Sequence, residues 1–317
     1  MIPKKFEDFN LYLSDDRGHL LTEQVNPKSE CLDQLTTESL VTLFCDEDRE
    51  PQRAVAAAIP ELIEAVEAIA GRLRIGGRLF YLGAGTSGRL GVLDAAECPP
   101  TFCSDPDLVQ GVLAGGSAAL LKSSEGLEDI EQAGQKDLQE RDFRSADCLV
   151  GIAAGGTTPY VKGGLAYAKE INALAIAISC VPIEQAELPC SIDIRLLTGP
   201  ELLTGSTRLK AGTATKMALN ILSTCSMVRL GKVFGNRMVD VAATNIKLMD
   251  RALRILHDLA DVDRDRGTEL LQASDGSVKV ALLMHTCGLD AEAAQKLLIE
   301  QNNQLRTALA SCGNCIS

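Results

Sequence analysis

The chain has 317 residues, 46% of them hydrophobic and 23% charged, with a formal net charge of −12. That composition is ordinary for a globular protein and long enough for one large core with a smaller appendage. An acidic balance makes nucleic acid and anionic membrane poor partners, and 3% aromatics without tryptophan leaves no stacking platform for bases. No apolar run reaches the ~20 residues a membrane span needs. The eleven cysteines lack disulfide-framework spacing and no signal peptide is visible, which points to reduced thiols in a cytoplasm. His19, His257 and His285 are too scattered for a metal site, and one C-x-x-C, Cys312 to Cys315, cannot complete one.

Residues 1 to about 21 read as a polar arm, followed by turn chemistry at Asn26-Pro27 and a short helix from Ser39 to Asp48. Pro51 to Leu73 repeats apolar residues at helical spacing. Strands and helices then alternate. Strands are expected at Leu79–Leu82, Val109–Leu113, Cys148–Ala153, Ala173–Ser179 and Ile192–Leu197. Helices are expected at Gly88–Glu97, Ala118–Arg141 and Pro159–Ile171, with a short piece near Ile183–Ala186. Fully apolar strands between helices imply a parallel sheet covered on both faces, with ligands at the carboxyl ends of its strands. A further helix runs through Lys216 to Val228, another from Met238 to Leu259, and four short amphipathic stretches between Arg264 and Ala310 form a small helical appendage. The organisation expected is an N-terminal arm and short helix (1–50), a sheet domain (51–250) and a helical subdomain (251–317).

Three glycine and hydroxyl turns follow strands. The first is Gly83-Ala84-Gly85-Thr86-Ser87-Gly88. A glycine turn feeding a helix N-terminus is an anion site, because free N–H groups and the positive end of the helix dipole converge there. Gly85, Thr86, Ser87 and Gly88 are therefore a candidate phosphate cradle. The turn also spells a dinucleotide fingerprint, but the next apolar run closes on Ala114-Gly115-Gly116 rather than on an acid. The Walker lysine is missing. A tight packing turn would account for the glycines but not for Thr86 and Ser87. The second turn, with Gly156, Thr157 and Thr158, and the third, with Ser206, should reach the same sheet edge.

These residues resemble a known family. Gly83 to Gly91 followed by Asp94-Ala95-Ala96-Glu97-Cys98-Pro99-Pro100-Thr101 looks like the signature of N-acetylmuramic acid 6-phosphate etherases. Glu125 to Asp129, Gly205 to Thr213 and Lys232 to Asn236 also match its pattern. The resemblance implies an α/β fold, a flavodoxin-like sugar isomerase (SIS) sheet covered by helices with a small C-terminal helical subdomain, in a homodimer with its active site near the interface. It implies a lyase that cleaves the D-lactyl ether of a sugar phosphate without metal or other cofactor, in amino-sugar catabolism and peptidoglycan recycling. Glu97 then matches the acid and Glu128 the base, and burial of Glu97 against apolar neighbours would suit it to proton donation. Lys210 and Arg208 are candidates for an anionic group of the substrate. Val25, Ser117, Gly155 and Thr157 depart from the family pattern. The same signature in the glucokinase regulatory protein leaves a sugar-phosphate sensor as an alternative, and the fold leaves an isomerase. Both glutamates favour the etherase.

Overall fold

The computed structural model describes residues 16–122, 126–241 and 246–313. The first fifteen residues of the arm, Glu125 of the second motif and Cys315 of the C-x-x-C lie outside them. Five strands, β1 (Leu79–Gly83), β2 (Val109–Leu113), β3 (Cys148–Ile152), β4 (Leu174–Ser179) and β5 (Ile192–Arg195), form one parallel sheet in the order β2-β1-β3-β4-β5. Three of the strands, β1, β3 and β4, are completely or almost completely buried, which is why they read as apolar runs.

Two apolar cores cover the two faces of the sheet. On one, Tyr81, Val150 and Ile178 meet Leu62 and Ile69, together with Ala214 and Leu222. On the other, Phe80, Leu149 and Ala177 meet Leu138, Tyr160 and Leu165. The helices involved are α1 (Thr37–Glu47), α2 (Glu50–Ala57), α3 (Ile59–Arg74), α4 (Gly85–Phe102), α5 (Ala118–Leu121), α6 (Glu131–Gln139), α7 (Pro159–Glu170) and α8 (Lys210–Arg229).

Several boundaries differ from expectation, each for a local reason. The helix expected at Pro51–Leu73 breaks at Ala58, because Pro60 has no N–H and must start a new helix near its N-terminus. Pro99 and Pro100 do not stop α4. They sit near its end, and Phe102, 5% exposed, anchors one more turn before Cys103 turns left-handed. The span Ala118–Arg141 divides into α5 and α6. Residues Ile183–Ala186 form a turn, not a helix.

A third core is independent of the sheet. It runs from Phe234 to Leu309 through α9 (Ile246–Ala260), α10 (Arg264–Ala273), α11 (Val278–Cys287), α12 (Ala291–Glu300) and α13 (Leu305–Ser311). The division expected at residue 251 falls inside α9. The helix expected from Met238 instead starts, among the described residues, at Ile246, because β6 (Val233–Phe234) and β7 (Arg237–Met238) form a small hairpin. Its Asp240 takes ion pairs from Lys232 at 3.0 Å and from the buried Lys279 at 2.9 Å, tying the hairpin region to α11. A cavity of about 950 Å³ separates Leu73, Cys103 and Leu108, at the amino ends of β1 and β2, from Val239, Leu271 and Leu298 of the helical core. The helical unit thus lies at the sheet edge opposite the glycine turns. No described helix is long and apolar enough to cross a membrane.

Candidate active site

The site is built on the carboxyl edge of the sheet, where α4, α7 and α8 begin. After β1, Gly85 has φ +53° and turns the chain into α4. A Cβ on Gly88 would stand 2.4 Å from the Gly83 carbonyl oxygen, so only glycine lets this first turn lie on its own strand. No side chain caps α4, and the amides of Gly85, Thr86 and Ser87 have no intrahelical acceptor. The first such bond is Gly88 N–H to the Ala84 carbonyl at 3.2 Å. Thr86 and Ser87 are half-buried, and their hydroxyls sit on the same turn as these three amides.

The other two helix starts at this edge are already occupied. In α7 the first residue, Pro159, has no donor, and the Tyr160 amide donates to the Glu128 main-chain carbonyl at 3.0 Å. In α8 the amides of Lys210 and Ala211 both donate to the Glu201 carboxylate at 3.0 Å. Glu201 is fully buried, and its burial pushes the carboxyl upward even against these two bonds and the Lys210 charge. Of the three helix starts, α4 is the one whose first amides keep no acceptor among the described residues.

Lys210 has a different task from the one expected. Its ammonium is 4% exposed and pairs with Glu47 of α1 at 2.7 Å. Glu47 also takes Lys28 at 2.6 Å and Asn26 Nδ2 at 3.3 Å, and Asn26 donates to the Pro200 carbonyl at 3.0 Å. Burial would raise the Glu47 carboxyl, but the bonds from Lys210, Lys28 and Asn26 outweigh it and hold it down to about 2. This network fastens the arm and α1 to the start of α8. Sequence reasoning missed Glu47 and Glu201, because nothing local distinguishes them from solvated acids.

The third turn lies against the first. A Cβ on Gly212 would stand 3.6 Å from the Thr86 methyl and 3.4 Å from the Thr207 carbonyl oxygen. Ser206, half-buried, sits in that turn, its amide donating to the Leu203 carbonyl at 2.9 Å. In the second turn Gly156 has φ +68°, and Thr157 and Thr158 are half-buried. The arm crosses above: Thr22 approaches Gly155, and Glu23 approaches Gly205. The structure thus brings Gly85 to Gly88, Gly156 to Thr158 and Ser206 to one edge.

It does not bring Glu97 there within one chain. Glu97 lies twelve residues into α4, ~18 Å along the axis from Gly85 at the usual rise per residue. It is also exposed, which corrects the expectation that it is buried. The apolar neighbours in sequence, Ala95 and Cys98, turn to the core, and helical geometry sends Glu97 the other way. Glu128 is exposed too, but its main chain rests on the start of α7, at the correct edge. Asp94, one turn before Glu97, is the buried acid. It accepts from Tyr81 at 3.0 Å and from Lys216 at 2.9 Å, joining β1, α4 and α8.

A parallel five-stranded sheet with helices on both faces and one uncapped helix start at its carboxyl edge is a doubly wound α/β fold. A family model, the glucokinase regulatory protein N-terminal SIS domain, matches residues 61–169. The chain is 95% identical over 312 residues to the N-acetylmuramic acid 6-phosphate etherase of Prochlorococcus marinus (strain MIT 9303), covering 98% of this chain and 99% of that one. It is 72% identical to that of Synechococcus sp. (strain CC9605), with 96% and 97% covered. Against that of Gloeothece citriformis (strain PCC 7424) it is 60% identical, with 94% and 97% covered. The chain belongs to the N-acetylmuramic acid 6-phosphate etherase family.

Proposed function

We propose that this chain cleaves the D-lactyl ether of N-acetylmuramic acid 6-phosphate, giving N-acetylglucosamine 6-phosphate and D-lactate. The observation that carries the reading is the open start of α4, with three amides and two hydroxyls, in a chain of this family. The phosphate rests on Gly85 to Gly88. The ring-opened aldehyde acidifies the C2 proton. Glu128 removes it, the C3–O bond breaks, and Glu97 protonates the departing lactate oxygen. Water then adds across the C2–C3 double bond with the two roles reversed. Gly156, Thr157, Thr158 and Ser206 border the sugar, and Lys210 acts at one remove, by holding the start of α8.

Because one chain separates Glu97 from the first turn by ~18 Å of helix, Glu97 serves the site of a second copy in a homodimer. The reaction fits a cytoplasmic enzyme that recycles wall-derived amino sugar. The test is release of D-lactate from the sugar phosphate, lost in Glu97→Gln and in Glu128→Gln. Mixing and refolding the two inactive variants together separates the arrangements. Donation between subunits restores about a quarter of the activity, since half of the random dimers carry one intact site. Recovery of nothing would place both acids in one chain and remove the dimer from the mechanism.

A further inference from the structure

A second cavity, of about 500 Å³, opens over the start of α7. Arg17, His19 and Leu20 of the arm form one wall, and Asp129, Thr157 and Lys162 the other. Asp129 follows Glu128, so the cavity adjoins the proposed base. Asp16 and Glu131 line it as well. Neither the Arg17 nor the Lys162 side chain has an ion-pair or hydrogen-bond partner among the described residues, although three acids share the cavity. Two of those acids have local support. Asp16 accepts from the Gly18 amide at 2.9 Å, and Glu131 sits in the first turn of α6, where the helix dipole favours an anion. Arg17 and Lys162 are thus the two cations of this lining left uncommitted by described partners, beside the half-buried Asp129.

The hydroxyls nearby tell the same way. The Thr22 hydroxyl is buried without a partner among the described residues, 3.5 Å from where a Cβ on Gly155 would stand. The Thr157 hydroxyl is 3.8 Å from the same point. This corner of the site holds unused donors, charged and neutral, one strand away from the phosphate cradle, since β1 and β3 are neighbours. The substrate carries two anionic ends, the phosphate on C6 and the lactyl carboxylate beyond C3, on different sides of the ring. With the first on α4, the second needs a cationic partner on a neighbouring turn.

We propose that Arg17 and Lys162 bind the carboxylate of the lactyl group, with Thr157 beside them, so that the arm selects the ether substrate over the sugar product. This rests on the etherase reading. Loss of a charge-assisted bond weakens binding about ten- to hundredfold. Arg17→Ala and Lys162→Ala should therefore each raise KM for N-acetylmuramic acid 6-phosphate about tenfold or more. Calorimetric affinity for N-acetylglucosamine 6-phosphate, which lacks the carboxylate, should stay within about twofold. A substrate analogue with a neutral lactyl amide should bind the unaltered protein more weakly than the acid does, and should lose nothing further in the double variant. An unchanged KM in both variants, or an equal loss for both sugar phosphates, overturns the subsite while lactate release by the unaltered protein keeps the etherase reading standing. No lactate release by the unaltered protein overturns that reading, and the subsite with it.

Discussion

The starts of α4 and α8 lie side by side at one sheet edge, each after a glycine and hydroxyl turn, and they have opposite tasks. At α4 the first amides have no partner among the described residues, so the helix dipole is available to an outside anion. At α8 a buried glutamate from the preceding loop takes the first two amides, and the first side chain, Lys210, is held by Glu47. A helix terminus binds substrate only where the fold leaves it unsatisfied. Elsewhere the same chemistry becomes internal support.

The comparison breaks hardest at Glu47. Glu47→Ala leaves the Lys210 ammonium buried and unpaired, a loss of about 3–5 kcal/mol in urea unfolding. A midpoint within error of the parent would show that the network supports nothing. Glu201→Gln comes next. The side-chain amide can accept one N–H but presents its own donor to the other, for a loss of about 1–3 kcal/mol.

Acid sharpens the contrast between these two carboxylates. The folded value of Glu47 is depressed, so its stabilisation is complete above the ordinary 4.5 and disappears as pH falls through about 2. Glu201 has the opposite sign. Its raised value makes its contribution greatest below the ordinary range, declining as pH rises through the folded value. Unfolding measured from neutral pH to pH 2 should show Glu47→Gln flattening the acid-side loss, and Glu201→Gln leaving that loss in place. The smallest effect on stability belongs to α4. Ser87→Ala should shift unfolding by less than about 0.5 kcal/mol while weakening sugar-phosphate binding roughly five- to tenfold. Equal binding of the sugar phosphate by this variant would remove the hydroxyl from the cradle.

Much of this architecture is legible along the chain. The central strands appear because they are buried on both faces and must be apolar, and the first turn because only glycine fits against Gly83. The hairpin at Val233–Met238 is hidden, since two-residue strands carry no periodicity. Pro99 and Pro100 mislead because the cost of a proline depends on what lies beyond it, here a buried Phe102. Glu97 misleads for another reason: its neighbours in sequence are not its neighbours in space.

By itself the sequence determined the parallel sheet and the glycine turn that starts α4 at its carboxyl edge, because backbone sterics and hydrophobic burial act over a few residues. Only the tertiary structure decided which helix start stays open, that Lys210 and Glu47 hold each other, that Glu97 stands far from the turn in its own chain, and that Arg17 and Lys162 line one cavity over the start of α7. The occupied start of α8 and the Lys210–Glu47 pair depend on electrostatic pairing between segments distant in the chain, and charge carries no record in sequence of the partner it will find, whereas the place of Glu97 follows from helix rise and that of Arg17 from how the arm packs.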